Sequence, residues 1–223
     1  MPSKLLKSLV SNRMIDAFPE TEQSFFIDGP AGHIETIAAP AAEKVRDKLI
    51  VICHPHPLHG GTMNNKVVTT LFRAFRHLGF DVIRFNYRGV GQSQGEFGNT
   101  VGETDDLMAV IQWAQSVKPG QGLWLAGFSF GSIVAAKAAK QSNCQQLISL
   151  APPVHHYDFA SLSPMSCPWL VIQPEADEVV PPQAVYDWHD TTQGVELIRL
   201  PEASHFFHGK LIALRDIISE HLG

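Results

Sequence analysis

The chain has 223 residues, 44% of them hydrophobic and 17% charged, with a formal net charge of −5. That length suits one domain over residues 1–223 with a sizeable buried core. The mild negative balance argues against a nucleic-acid partner, and no apolar run approaches the roughly 20 residues of a membrane span.

At the N-terminus, Lys4 and Lys7 lie among Leu5, Leu6, Leu9 and Val10. The segment lacks the uninterrupted apolar stretch and small-residue cleavage site of a signal peptide. It predicts instead an amphipathic helix within an N-terminal extension over residues 1–22. Residues 23–28 and 33–39 read as two strands joined by the turn Gly29-Pro30-Ala31-Gly32. Residues 48–53 form a third strand, followed by a helix over 65–78 with Val67, Val68, Leu71, Phe72, Phe75 and Leu78 on one broad face. A strand over 81–87 precedes a helix over 104–113 whose first turn carries acidic residues, where the helix dipole favours them. Then come a strand over 123–128, a helix over 132–140, strands over 146–151 and 169–173, a helix starting at Pro181, a strand over 195–200 and a last helix over 210–222.

Strands apolar on both faces, alternating with helices, define an α/β fold whose mostly parallel sheet is covered on two sides. The first two strands have no helix between them, so that edge is antiparallel. In such sheets ligands sit beyond the carboxyl ends of the strands. The three cysteines, Cys53, Cys144 and Cys167, are too few and odd in number for a disulfide framework, which suits a reducing cytoplasm. Cys53 and Cys144 lie in or beside strand-like runs and read as packing residues.

The most informative stretch is Ala126-Gly127-Phe128-Ser129-Phe130-Gly131-Ser132. A buried strand runs into Gly-x-Ser-x-Gly, and a small-residue helix leaves it. A serine on so tight a turn is pushed out above the sheet edge, with the next backbone N–H aimed at whatever the hydroxyl attacks. Ser129 is therefore the candidate nucleophile. A serine hydroxyl needs a base, and the base needs an orienting acid. Asp177, in the loop Pro174-Glu175-Ala176-Asp177-Glu178 just before the Val179-Val180-Pro181 helix entry, is the favoured acid, with Glu175 and Glu178 as alternatives. His205, in the loop after the last strand, is the favoured base. His208 is the alternative, placed by its spacing in the first turn of the final helix. Two backbone N–H groups must receive the oxyanion of acyl transfer. Phe130 supplies one, and His56 the other, because Pro55 and Pro57 on either side have no N–H to offer.

His54, His56 and His59 also invite a metal reading. An extended segment would put His59 on the opposite side from the other two, and no other zinc-ligand spacing occurs, so no metal is assigned. Arg88-Gly89-Val90-Gly91-Gln92-Ser93-Gln94-Gly95 has the wrong spacing for a dinucleotide loop and reads as a tight structural loop with Arg88 free to pair an acid.

Together, His54 through Lys66 (His-Pro-His-Pro-Leu-His-Gly-Gly-Thr-Met-Asn-Asn-Lys), Arg88 through Ser93, Gly127 through Gly131, the Asp177 loop and Ser204 through Gly209 resemble the alpha/beta-hydrolase superfamily. More narrowly, they are similar to small bacterial hydrolases without a cap domain that are related to dienelactone hydrolase. The resemblance runs from about the third strand onward and implies Ser129 as nucleophile, Asp177 as orienting acid and His205 as base. The chain differs from many relatives in carrying His54-Pro55 where they have His-Gly. Lids in the superfamily usually insert where residues 152–167 lie here, and that connection is too short for a cap. An open site lined by Leu58, Met63, Phe130 and Phe206 is expected.

These readings converge on a cytoplasmic serine hydrolase that cleaves carboxylic esters of small or exposed acyl substrates through an acyl-enzyme, with no cofactor and no membrane or nucleic-acid partner. Thioesters and small amides suit the same triad, a non-catalytic binding module with this fold is a reading of a different class, and the composition is compatible with a homodimer.

Overall fold

The computed structural model describes residues 14–42 and 45–223. In chain order the strands are β1 (Gln23–Gly29), β2 (Gly32–Ala39), β3 (Lys48–Cys53), β4 (Asp81–Phe85), β5 (Gly122–Phe128), β6 (Cys144–Leu150), β7 (Trp169–Pro174) and β8 (Val195–Leu200). The helices are α1 (Lys66–His77), α2 (Val101–Val117), α3 (Phe130–Gln141), α4 (Pro182–Asp190) and α5 (Leu211–Leu222). The strands make one sheet in the order β1-β2-β4-β3-β5-β6-β7-β8. β1 pairs antiparallel with β2 and β2 antiparallel with β4, and every later pairing is parallel.

All residues of β4, β5 and β7 are buried, as expected for strands covered on both faces. Alternation along β3 divides its side chains between two cores. Leu49, Val51 and Cys53 join Leu107 and Val110 of α2 and Ile133 of α3 on one face. Ile50 and Ile52 join Phe72 and Phe75 of α1 and Leu214 of α5 on the other. α1 starts where the Asn65 side chain accepts a hydrogen bond from the Val67 N–H, which satisfies one orphan donor of the first turn.

α2 is longer at both ends than the predicted 104–113. Its start is set by tertiary contacts that no local pattern carries. The Glu103 Oε1 accepts from Gly98 N–H at 2.7 Å, and Asp106 accepts from the Arg88 backbone N–H and guanidinium. Asp106 is thus fully buried in an ion pair rather than placed in a first turn. A Cβ at Gly102 would crowd the Arg88 guanidinium and push it from its place beside Asp106.

The helix expected over residues 1–22 is not found in its described part, and residues 1–13 lie outside the described residues. Residues 14–22 form an irregular strap, with Met14 bridged to Phe26. Phe18 stacks on Trp113 at 6.1 Å, and the Trp113 indole N–H donates to the Ile15 carbonyl at 3.1 Å. An open strap with Pro19 in it lets both residues reach α2, which a helix would not.

Residues 152–167, between β6 and β7, hold only the short 3-10 turn Ala160–Leu162 and no inserted domain. The segments after β3, β5, β7 and β8 gather at one edge of the sheet. Among the described residues no helix is long and apolar enough to cross a membrane, and the three cysteines are free and buried.

Candidate active site

Ser129 sits between β5 and α3 with φ 52° and ψ −120°, a backbone region that costs a non-glycine residue of order 1–3 kcal/mol. Its surroundings hold it there. Its N–H donates to the Leu150 carbonyl at 2.8 Å, and its carbonyl accepts from the Ser132 hydroxyl at 2.6 Å. The flanking glycines are required sterically. A Cβ on Gly127 would strike the Gly131 carbonyl, and one on Gly131 would strike the Cys53 carbonyl at the end of β3. The second contact also lets α3 press against the β3 end, bringing Ser129 beside the loop that begins at His54.

The structure brings Ser129, His205 and Asp177 into one hydrogen-bonded line. His205 Nε2 lies 3.1 Å from Ser129 Oγ, and its Nδ1 lies 2.9 and 3.0 Å from the two oxygens of Asp177. Asp177 Oδ1 also accepts from the backbone N–H groups of Val179 and Val180 at 2.8 and 2.7 Å. A carboxylate fixed by those donors accepts a hydrogen bond from the Nδ1–H of His205, which leaves Nε2 as the acceptor for the serine hydroxyl. The Asp177 and His205 side chains are 0% and 3% exposed, so this line is shielded from water.

The alternatives do not join it. Glu175 and His208 are exposed. His208 lies in a turn three residues before α5 begins, and not in that helix as expected, because Phe207 at φ 54° turns the chain there. Glu178 has a function that its sequence position did not reveal: its Oε2 accepts the His205 backbone N–H at 3.0 Å and anchors the loop that carries the imidazole.

Phe130 is the first residue of α3, and His56 follows the end of β3. Among the described residues, neither of their backbone N–H groups donates to another backbone group. The aim of the His56 N–H is set by His54, which is fully buried. The Tyr87 backbone N–H donates to His54 Nε2 at 3.2 Å, so the ring proton is on Nδ1, where it donates to the Pro55 carbonyl at 2.7 Å. That carbonyl and the His56 N–H belong to one planar trans peptide and point in opposite directions. Pulling the carbonyl inward therefore turns the N–H outward. Burial depresses the His54 pKa to about 3, which keeps the ring neutral in this arrangement. Both ring nitrogens are thereby engaged in protein hydrogen bonds. Among the described residues no group of three or more His, Cys, Asp or Glu is placed to hold a metal ion.

A cavity of about 210 Å³ opens beside the serine, lined by His56, His59, Asn65, Val179 and Phe206 around Ser129 and His205, with Pro55, Gly60 and Gly61 completing it. Phe206 is where the sequence reading put it, but Leu58 and Met63 are not. Leu58 is 66% exposed on the 3-10 turn Pro57–His59, whose geometry throws it outward. Met63 is 1% exposed beneath the α1 entry, its N–H donating to Asn86 Oδ1 and its carbonyl accepting from Arg84. Phe130 is buried under the site, against His56 at 4.8 Å, and lends support rather than surface. His59, Asn65 and Val179 were missed; they converge only because the loops fold back over Ser129. A larger open groove of about 770 Å³ between the β1–β2 turn, α2 and the end of α3 contains no nucleophile–base pair and is set aside.

Residues 57–166 match the model of the alpha/beta hydrolase fold. The solved structure of an alpha-beta serine hydrolase homologue from Coxiella burnetii is 47% identical, with a TM-score of 0.90 over 93% of this chain and 100% of that one. An alpha/beta serine hydrolase without a lid from Xanthomonas campestris is 45% identical, with a TM-score of 0.87 over 92% of this chain and 94% of its own. An uncharacterised protein of Rickettsia prowazekii is 33% identical over 208 residues, 88% of this chain and 87% of that protein.

Proposed function

Because the chain belongs to the alpha/beta-hydrolase family, we propose that it cleaves carboxylic esters of small or exposed acyl substrates through an acyl-enzyme on Ser129. The observation that carries this reading is the line Asp177–His205–Ser129, with its 2.9 and 3.1 Å contacts. Ser129 Oγ attacks the ester carbonyl while His205 Nε2 takes the hydroxyl proton. The N–H groups of His56 and Phe130 receive the oxyanion. His205 returns the proton to the departing alcohol, then draws one from water, whose oxygen attacks the acyl carbon and releases the acid and free Ser129. Asp177 holds the imidazole in the required tautomer and balances its charge when it is protonated.

The open surround, without an inserted lid, supports substrates whose ester is exposed. The test is labelling by a fluorophosphonate and turnover of p-nitrophenyl acetate, each compared with Ser129→Ala. Labelling at Ser129, with turnover falling at least about a thousandfold in the variant, is expected. Wild-type turnover in a folded Ser129→Ala protein, or no adduct on wild-type Ser129, would overturn the reading.

A further inference from the structure

The cavity beside Ser129 is small, uncharged and walled by rings. Its volume of about 210 Å³ is somewhat larger than the ~150 Å³ of a cavity known to admit benzene. One six-membered ring with its ester linkage is of the size that fills it. No Asp, Glu, Lys or Arg is among its lining residues, so a charged substituent finds no partner there. The sheet order sets β3 on one side of β5 and β8 on the other, so the loops that follow them face each other across Ser129. On the β3 side the imidazoles of His56 and His59 stack with centroids 4.4 Å and planes 22° apart. Phe97 and Phe130 back the inner imidazole at 5.2 and 4.8 Å and keep it from swinging away. On the β8 side Phe206 is 39% exposed, held edge-on against His205 at 5.0 Å and 88°. Val179 beside it is 50% exposed. Burial, and then the neighbouring His59 and His156, hold the His56 pKa below its ordinary value, which favours the neutral ring at that position.

Resting on the hydrolase reading above, we propose that this cavity is a subsite for one flat, uncharged ring in the alcohol half of the ester, taken between the His56–His59 stack and Phe206. The enzyme is then an aryl esterase. The alcohol half is assigned because Phe206 and Val179 flank His205, which delivers the proton to the leaving oxygen. Aromatic walls favour a flat ring over a saturated ring of equal size, because offset and edge-on contacts add to simple burial.

The experiment measures binding to the Ser129→Ala protein, which removes turnover from the question. Phenyl acetate and cyclohexyl acetate are titrated while the histidine ring resonances are followed by NMR. Phenyl acetate is expected to bind about threefold to tenfold more tightly than cyclohexyl acetate and to shift the His59 signals. Adding His59→Ala should abolish the preference, and His59→Phe, which restores a flat wall, should keep it. Equal or tighter binding of the cyclohexyl ester, or a preference unchanged by His59→Ala, overturns the proposal. Neither result bears on whether Ser129 is the nucleophile, which is read separately from fluorophosphonate labelling.

Discussion

Replacing His54 by alanine removes a side chain that touches no substrate but whose two ring nitrogens do different work. Nε2 satisfies the buried Tyr87 N–H, and Nδ1–H turns the Pro55–His56 peptide. Leaving the Tyr87 N–H unpartnered costs about 1–3 kcal/mol. Losing the ring contact with Tyr87, whose centroid is 4.1 Å away, adds about 0.5–1.5 kcal/mol. Stability should therefore fall by about 1.5–4.5 kcal/mol in a urea titration. Removing an oxyanion donor outright lowers kcat by about 10²–10³-fold. Here the proposed donor, the His56 N–H, remains and only its aim is lost, so kcat for p-nitrophenyl acetate should drop by about 10- to 100-fold with KM little changed. Two further variants separate the functions. In His54→Asn the amide nitrogen takes the position of Nδ1, restoring the hydrogen bond to Pro55 and most of kcat. In His54→Gln the amide oxygen reaches the position of Nε2, restoring the Tyr87 contact and most of the stability. If kcat in all three variants simply followed stability, or if His54→Ala kept wild-type kcat, the positioning argument would fail.

His54 also makes stability depend on pH. Its pKa is about 3 in the folded protein against an ordinary 6.5. Between those values the unfolded chain binds a proton that the native state refuses, so this contribution is complete above pH 6.5 and is lost as pH falls. The loss between pH 6.5 and pH 4 should reach about 3 kcal/mol in urea midpoints, and His54→Gln should flatten that limb; parallel curves for the two proteins would count against a neutral buried His54. Glu178→Ala removes the acceptor for the His205 N–H, and kcat/KM should fall about threefold to tenfold with a stability loss of only about 1 kcal/mol, since Glu178 is exposed and water can take its place. Glu178→Gln, which keeps an acceptor, should recover most of it, and an unaltered kcat/KM in the alanine variant would refute the anchoring role.

Most of the strand framework was legible because a strand covered on both faces leaves a short apolar run between turn residues, as in β3 and β5. Gly127-x-Ser129-x-Gly131 was legible for a local reason too, since both glycines are imposed by backbone crowding around a single turn. Contacts formed at a distance were not. The start of α2 depends on Arg88 and Gly98, so helical spacing alone placed it too late. His54 meets Tyr87 across 33 positions and Glu178 meets His205 across 27, and neither pairing leaves a mark on the residues nearby. Leu58 and Met63 were misplaced because the 3-10 turn and the α1 entry reverse the directions that an extended loop would give.

β8, which leads into the His205 loop, is the outermost strand of its side of the sheet and only Leu200 in it is buried. Ser129 rises from the deeply enclosed β5, 76 positions earlier. The proposed proton acceptor thus hangs from the margin of the sheet while the proposed attacking oxygen is rooted in its centre. Gentle warming should silence the enzyme by peeling that margin away, well before spectroscopic signs of global melting, and cooling should restore it without refolding of the interior.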